Sequence, residues 1–250
     1  MRAKKSLGQH FLSSPSYLHA IADAGDVKDG DIVLEVGPGK GSLTAELLGR
    51  GARVIAIEKD DRLIALLREM FAAEISMKKL TLIHGDILTQ DLKKLSLKAG
   101  RYKIVANVPY YISGALVRFF LETPLQPSTM ALLLQKEVVE RIARSKKESL
   151  LSLSVKAYGT PTFVKKVPRG AFSPPPKVDS AILAIKDISR QNFATALHEK
   201  RFFALLHAGF AHKRKTLGKA LLPLIGEAAA DIATLRAEDV PLKTWIHLAK

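Results

Sequence analysis

Ile32-Val33-Leu34-Glu35-Val36-Gly37-Pro38-Gly39-Lys40-Gly41 is the stretch on which the fold turns. Apart from Glu35, its first five residues are apolar, and they run straight into glycines, as a short buried strand does. Residues 43–48 then read as a helix. Glycines at such a strand-to-helix turn let the backbone approach a ligand closely, at the switch point where open α/β sheets bind nucleotides.

Outward from this turn the same alternation continues. Residues 53–57, 80–84, 103–106 and 130–134 read as further short buried strands. Between them lie helical patterns. Asp60 caps one through Leu63, Leu66, Leu67, Met70 and Phe71, Ser113 opens one carrying Leu116, Phe119, Phe120 and Leu121, and residues 136–144 form a charged one. Residues 15–24 precede the first strand as a helix with Leu18, Ile21 and Ala22 on one face. Strands separated by helices imply a parallel sheet covered on both faces. Residues 161–167 and 181–185 are two more strands, paired antiparallel at one sheet edge across a rigid proline loop at 172–176. From Ser189 onward only helices are expected, over residues 193–209, 216–222, 228–234 and 241–249. The expected fold is therefore α/β and Rossmann-like, with a mixed, mostly parallel seven-stranded sheet in residues 1–187. A small all-α C-terminal domain follows in residues 188–250, joined through the polar stretch 186–192.

Composition narrows the partners. The chain has 250 residues, 47% of them hydrophobic, enough to bury a core. It has no cysteine, which excludes disulfides and thiolate metal sites. No run approaches the roughly 18 apolar residues of a membrane span, and no apolar segment follows the basic start, so a cytoplasmic protein without membrane attachment is expected. The net charge of +15 calls for a polyanion, nucleic acid before an anionic membrane.

The glycine turn departs from the dinucleotide fingerprint. Its third glycine comes one residue early, at Gly41, and Pro38 removes a backbone N–H that a pyrophosphate would use. The E-x-G-x-G-x-G pattern resembles instead the cofactor loop of class I methyltransferases, whose ligand carries no phosphate. Glu58 ends the second strand about 20 residues on, where an acid hydrogen-bonds ribose hydroxyls. Asp86, after the third strand, is placed to accept from an adenine amino group, with Ile87 beside it to pack on the ring.

Asn107-Val108-Pro109-Tyr110 follows the fourth strand at the same sheet edge. An aryl amine is a poor nucleophile because its lone pair is delocalised into the ring. Two acceptors gripping its N–H bonds, the Asn107 side-chain oxygen and a main-chain carbonyl at Val108 or Pro109, hold that lone pair out of plane. Pro109 fixes the backbone so that the acceptors are preorganised. Tyr110 offers a face on which an extruded base stacks.

Together these motifs resemble the ribosomal RNA adenine dimethyltransferase family, the KsgA-type enzymes and their macrolide-resistance relatives, over nearly the whole chain. Leu7-Gly8-Gln9-His10-Phe11-Leu12 is similar to the family's N-terminal signature, with His10 where Asn is commonest. Ser14 stands where many members carry Asp. Phe172-Ser173-Pro174-Pro175-Pro176-Lys177-Val178-Asp179-Ser180 resembles the family's F-x-P-x-P-x-V-x-S segment, and His212-Lys213-Arg214-Lys215-Thr216-Leu217 its C-terminal helix start. The resemblance implies a class I methyltransferase domain with a basic arm and cofactor-loop signature in residues 1–12, and a C-terminal RNA-binding domain. It implies an S-adenosyl-L-methionine pocket comprising His10, Leu12, Gly37, Gly39, Glu58, Asp86, Ile87 and Asn107, with no metal. Tyr110 and Phe172 would sandwich the target adenine. The reaction would be dimethylation of two adjacent adenines near the 3′ end of small-subunit (16S) rRNA. The partner would be a precursor of the 30S ribosomal subunit; separately, with no heptad seam in the sequence, a monomer is expected. Lys213, Arg214 and Lys215, with Arg141 and Arg144, would meet RNA phosphates.

Overall fold

The structure, a computed structural model, describes residues 8–212 and 214–250. Lys213 and the basic residues before Gly8 lie outside the described residues. In chain order the strands are β1 (Phe11–Leu12), β2 (Ile32–Val36), β3 (Arg53–Glu58), β4 (Leu80–His84), β5 (Lys103–Asn107), β6 (Thr129–Gln135), β7 (Thr160–Val167), β8 (Phe172–Ser173) and β9 (Ser180–Lys186). The helices are α1 (Pro15–Ala24), α2 (Ser42–Gly49), α3 (Asp61–Met70), α4 (Ala72–Ser76), α5 (Ser113–Glu122), α6 (Lys136–Ala143), α7 (Leu150–Tyr158), α8 (Ala196–Phe210), α9 (Gly218–Ile225) and α10 (Leu242–Leu248).

Seven strands form one sheet in the order β4-β3-β2-β5-β6-β9-β7. β2 through β6 pair parallel, and β9 runs antiparallel between β6 and β7. The expected mixed, mostly parallel sheet with an antiparallel edge is what the chain builds. Pro161 lies in β7, the outermost strand, where a missing ladder donor is tolerated. The chain steps outward from β2 to β4, then returns to lay β5 on the other side of β2. That reversal opens a crevice at the carboxyl ends of β2 and β5, where Gly37 and Asn107 sit.

The sheet is covered on both faces, which is why its strands read as nearly unbroken apolar runs. Along β6, Met130, Leu132 and Leu134 enter one hydrophobic cluster and Ala131 and Leu133 the other. α1, α2 and the short β1–β8 ladder cover the second face through Ile21, Leu47, Leu12 and Phe172. α5, α7 and the C-terminal helices cover the first, and one cluster runs from Leu34 to the fully buried Trp245. Tyr158 at the end of α7 donates to the Glu199 carboxylate of α8, which also accepts from Arg190 Nε at 3.1 Å.

Several elements differ from expectation, among them α7 and residues 226–232. α7 has no counterpart in the sequence reading, because Leu151-Ser152-Leu153-Ser154-Val155 alternates with the period of a strand. A capping box decides for the helix: Ser149 Oγ accepts from Ser152 N at 3.1 Å and Ser152 Oγ from Ser149 N at 2.7 Å. Residues Gly226–Ile232 form a 3-10 rather than an α-helix. No helix among the described residues is long and apolar enough to cross a membrane.

Candidate functional site

The glycine turn leaves β2 by having Gly37 N donate to Ile57 O at 2.9 Å, and closes as Gly41 N donates to Pro38 O at 2.9 Å. Gly37, Gly39 and Gly41 have φ of 68°, 61° and 83°, a region that disfavours any side chain. Space enforces the choice as well. A Cβ on Gly41 would lie 2.6 Å from the Phe71 ring, and one on Gly39 would lie 3.2 Å from Phe11.

Two carboxylates hold this turn. Glu35 is fully buried and accepts from Thr44 Oγ1 at 2.7 Å. Burial pushes its pKa up to about 8, the Thr44 hydrogen bond opposing and the nearby Glu58 charge adding to the rise. Glu58, at the end of β3, has its Oε2 bound by Gly39 N at 3.1 Å and its Oε1 by the amides of Lys59 and Asp60, both at 2.8 Å. Burial raises its pKa, against the pull of those amides. Three donors leave lone pairs on the carboxylate for further donors. Asp86 accepts from Lys59 Nζ at 2.8 Å and from Leu88 N at 3.0 Å, and the Lys59 contact keeps it ionised by lowering its pKa.

These groups line one open cleft of about 1060 Å³, whose apolar walls include Leu12, Ile57, Ile87 and Val108. All the residues expected to form a cofactor pocket, His10, Leu12, Gly37, Gly39, Glu58, Asp86, Ile87 and Asn107, line this cleft. The cleft fits an S-adenosyl-L-methionine-type ligand. Backbone is exposed where glycines replace side chains, an ionised acid and a backbone-tethered acid can accept from amino and hydroxyl groups, and apolar surface is available to a ring.

Asn107 ends β5 with its Nδ2 donating to His10 O at 3.1 Å. A carbonyl partner requires the amide nitrogen there, so the side-chain oxygen is presented to the other side. Pro109 O accepts from Ile112 N at 3.1 Å, which closes the 3-10 turn Tyr110–Ile112 and leaves the carbonyl one lone pair. Tyr110 is half-buried, its hydroxyl 2.6 Å from Ser180 Oγ, and burial raises its pKa. His10 stacks on Tyr110 with ring centroids 5.9 Å apart and planes 25° apart. Its Nδ1 lies 2.8 Å from Pro174 O, so that nitrogen carries the proton and donates.

A second groove of about 1510 Å³ opens beside the first, bounded by residues 8–11, Lys40, Tyr110, Gln135 and residues 173–178. His10, Phe11, Lys40 and Tyr110 line both spaces. Phe172, which the resemblance places opposite Tyr110, is not in the groove. It is 4% exposed, paired in register with Leu12, and belongs to the cluster that holds Leu18 and Val167. The wall that faces the groove includes Pro174-Pro175-Pro176, which follow Phe172 in sequence. β1 and β8 each turn only two residues into ladder, too few to stand out by periodicity. Gln135 also escapes a sequence reading, since it belongs to no motif with a chemical signature, and Lys40, though inside the glycine turn, fills one of its unspecified positions.

Arg141 and Arg144 are exposed at the end of α6, with the Arg144 guanidinium 3.7 Å from the Phe163 ring centroid. Arg214 and Lys215 are exposed between α8 and α9.

Comparison with known proteins gives a consistent picture. A family model described as ribosomal RNA adenine dimethylase matches residues 1–245. Ribosomal RNA small subunit methyltransferase A of Dehalococcoides mccartyi is 44% identical over 260 residues, covering 99% of this chain and 88% of the relative. The protein of that name from Xanthomonas euvesicatoria is 39% identical, covering 99% and 95%. Among solved structures, a dimethyladenosine transferase from Plasmodium falciparum has a TM-score of 0.81 at 27% identity, covering 96% of each chain. The 23S rRNA methyltransferase ErmE has a TM-score of 0.77 at 26% identity, covering 96% of this chain and 98% of that one.

Proposed function

The chain belongs to the ribosomal RNA adenine dimethylase family, and from that premise we propose how its two adjoining spaces work together. It is an S-adenosylmethionine-dependent enzyme that dimethylates the 6-amino group of adenine in small-subunit rRNA. The observation that carries the reading is the shared wall: His10 and Tyr110 border both the cofactor cleft and the groove beside it. A donor in one and a base in the other meet at Asn107 and Tyr110.

S-adenosyl-L-methionine supplies an electrophilic methyl group when bound. Glu58, Asp86 and Ile87 hold its nucleoside part, and Gly37, Gly39, His10, Leu12 and Asn107 complete its site. The target adenine enters the groove and stacks on Tyr110, with the proline wall that follows Phe172 closing the other side. Asn107 Oδ1 and a main-chain carbonyl at Val108 or Pro109 accept the N–H bonds of its amine, which turns the lone pair out of the ring plane. Asn107 arrives preoriented, because its nitrogen is already committed to His10 O. No strong base is needed, since the amine becomes acidic once methylated, and positioning supplies most of the rate.

The substrate particle is the 30S precursor, the two adenines are neighbours near the rRNA 3′ end, and the enzyme acts as a cytoplasmic monomer. Residues 1–187 carry the chemistry. Residues 188–250 contribute phosphate contacts through Arg214 and Lys215, with Lys213 beside them in sequence, and Arg141 and Arg144 add a second basic patch. Incubation with labelled S-adenosylmethionine and separated ribosomal subunits tests the reading. Label is expected on undermethylated small subunits; label confined to large subunits overturns it.

A further inference from the structure

We propose that Gln135 aligns the target adenine by donating its side-chain N–H to a ring nitrogen flanking the amine. The inference rests on the reading above that the groove receives that base.

Gln135 is the last residue of β6. Ala131 and Leu133 face the cluster on the α1 side of the sheet, so the two-residue alternation points Gln135 to that side as well. Asn107 ends β5 opposite Leu133 and follows Val105 of the same cluster by two residues. The two amides therefore project from neighbouring strands on one face, about 7 Å apart along the strand direction. On its other side Gln135 is paired with Ser180, whose hydroxyl meets Tyr110. Gln135 is half-buried in the groove wall, and its side chain makes no hydrogen bond to the described residues. An amide left unpartnered between a stacking tyrosine and a second amide is a donor and an acceptor awaiting a polar ring edge.

The chemistry of two successive transfers says which atom it meets. The amine begins with two N–H bonds and keeps one after the first methyl arrives, so contacts to the amine weaken between steps. N1 and N7, on either side of it, remain acceptors throughout. A donor on one of these nitrogens holds the ring in the same place for the second transfer. Loss of Gln135 therefore falls most heavily on that second step.

The test compares the wild-type enzyme and Gln135→Ala on small-subunit particles whose target adenines are adenosine, 1-deazaadenosine or 7-deazaadenosine, with mass analysis of the products. On adenosine, kcat/KM for the variant is expected to fall about tenfold, the loss of one well-placed hydrogen bond. The ratio of monomethyl to dimethyl product rises, while S-adenosylmethionine affinity and melting temperature stay unchanged. On one of the two deaza substrates the wild type drops to the variant's level and the variant drops no further. Gln135→Glu, whose carboxylate only accepts, falls below Gln135→Ala. An equal fractional loss on all three substrates, or an unchanged product ratio on adenosine, overturns the assignment. Wild-type enzyme that leaves adenosine particles unlabelled sinks the rRNA reading itself, a result that no Gln135 effect can imitate.

Discussion

The cofactor cleft and the target groove share a wall but are built on different principles. The cleft is made of backbone: three left-handed glycines, and two carboxylates, Glu58 and Asp86, each already bonded to main-chain amides. The groove is made of side chains brought together from distant segments, residues 8–11 meeting residues 173–178 through a ladder of two residue pairs and the His10–Pro174 contact. A backbone site is rigid and tolerates no Cβ. A side-chain site depends on the few contacts that pin its walls. Substitutions should divide along this line, some acting on cofactor and others on RNA.

Asn107 stands at the junction and should give the largest effect. Asn107→Ala removes an acceptor aimed at the reacting amine and is expected to lower kcat by about 100- to 1000-fold in single-turnover methylation. A variant that methylates as fast as wild type would refute the mechanism. Next comes Glu58→Gln, which keeps the shape but places a donor against amides that are themselves donors. Affinity for S-adenosylmethionine should fall about 10- to 100-fold by calorimetry, with RNA affinity untouched. Equal loss on both ligands would mean that cleft and groove are not separable. His10→Ala removes a hydrogen bond and a ring contact from the wall that cleft and groove share, so S-adenosylmethionine affinity should fall and KM for the RNA substrate should rise, each about fivefold to tenfold. A change confined to one of the two would take His10 out of the shared wall.

Glu35 probes the turn rather than a ligand. Its folded pKa is raised from the ordinary 4.5 to about 8, so the native state retains a proton that the unfolded chain gives up. Its contribution to stability is therefore greatest below about pH 4.5 and is lost as pH rises toward 8. Glu35→Gln keeps the acceptor for Thr44 without the ionisation. The melting temperature of the variant relative to wild type should climb between pH 5 and pH 8, and a difference independent of pH would contradict this account. The smallest effect is expected at Arg141, which lines neither the cleft nor the groove. Arg141→Ala should weaken RNA binding uniformly across sequences and reduce the salt slope by about one phosphate's worth, roughly 0.7 to 0.9. An unchanged slope removes Arg141 from the interface.

The same division explains what the sequence discloses. Strands, the glycine turn, Glu58 and the Asn107 loop are legible because each is local: a run of apolar residues, a turn chemistry, an acid at a fixed step from the glycines. Their position at one sheet edge follows from strand order alone. The groove is not local. Nothing in Phe11-Leu12 or Phe172-Ser173 announces that they pair, and without that pairing the burial of Phe172 against the α1 side of the sheet is invisible. Gln135 is hidden for a related reason, since its partner is not in the chain. α7 misleads because its serines imitate strand alternation while also supplying the cap that makes it a helix.

The β1–β8 ladder has a consequence in time. Its first strand leaves the ribosome before any strand of the sheet, and its second emerges only after six of them. Throughout that interval a nascent chain can complete the glycine turn and the ends of β2 through β5, yet it has no groove. Capacity for the donor thus precedes capacity for the acceptor during synthesis, and an enzyme whose substrate is part of the translation machinery stays inert toward it until nearly all of the catalytic sheet has been made.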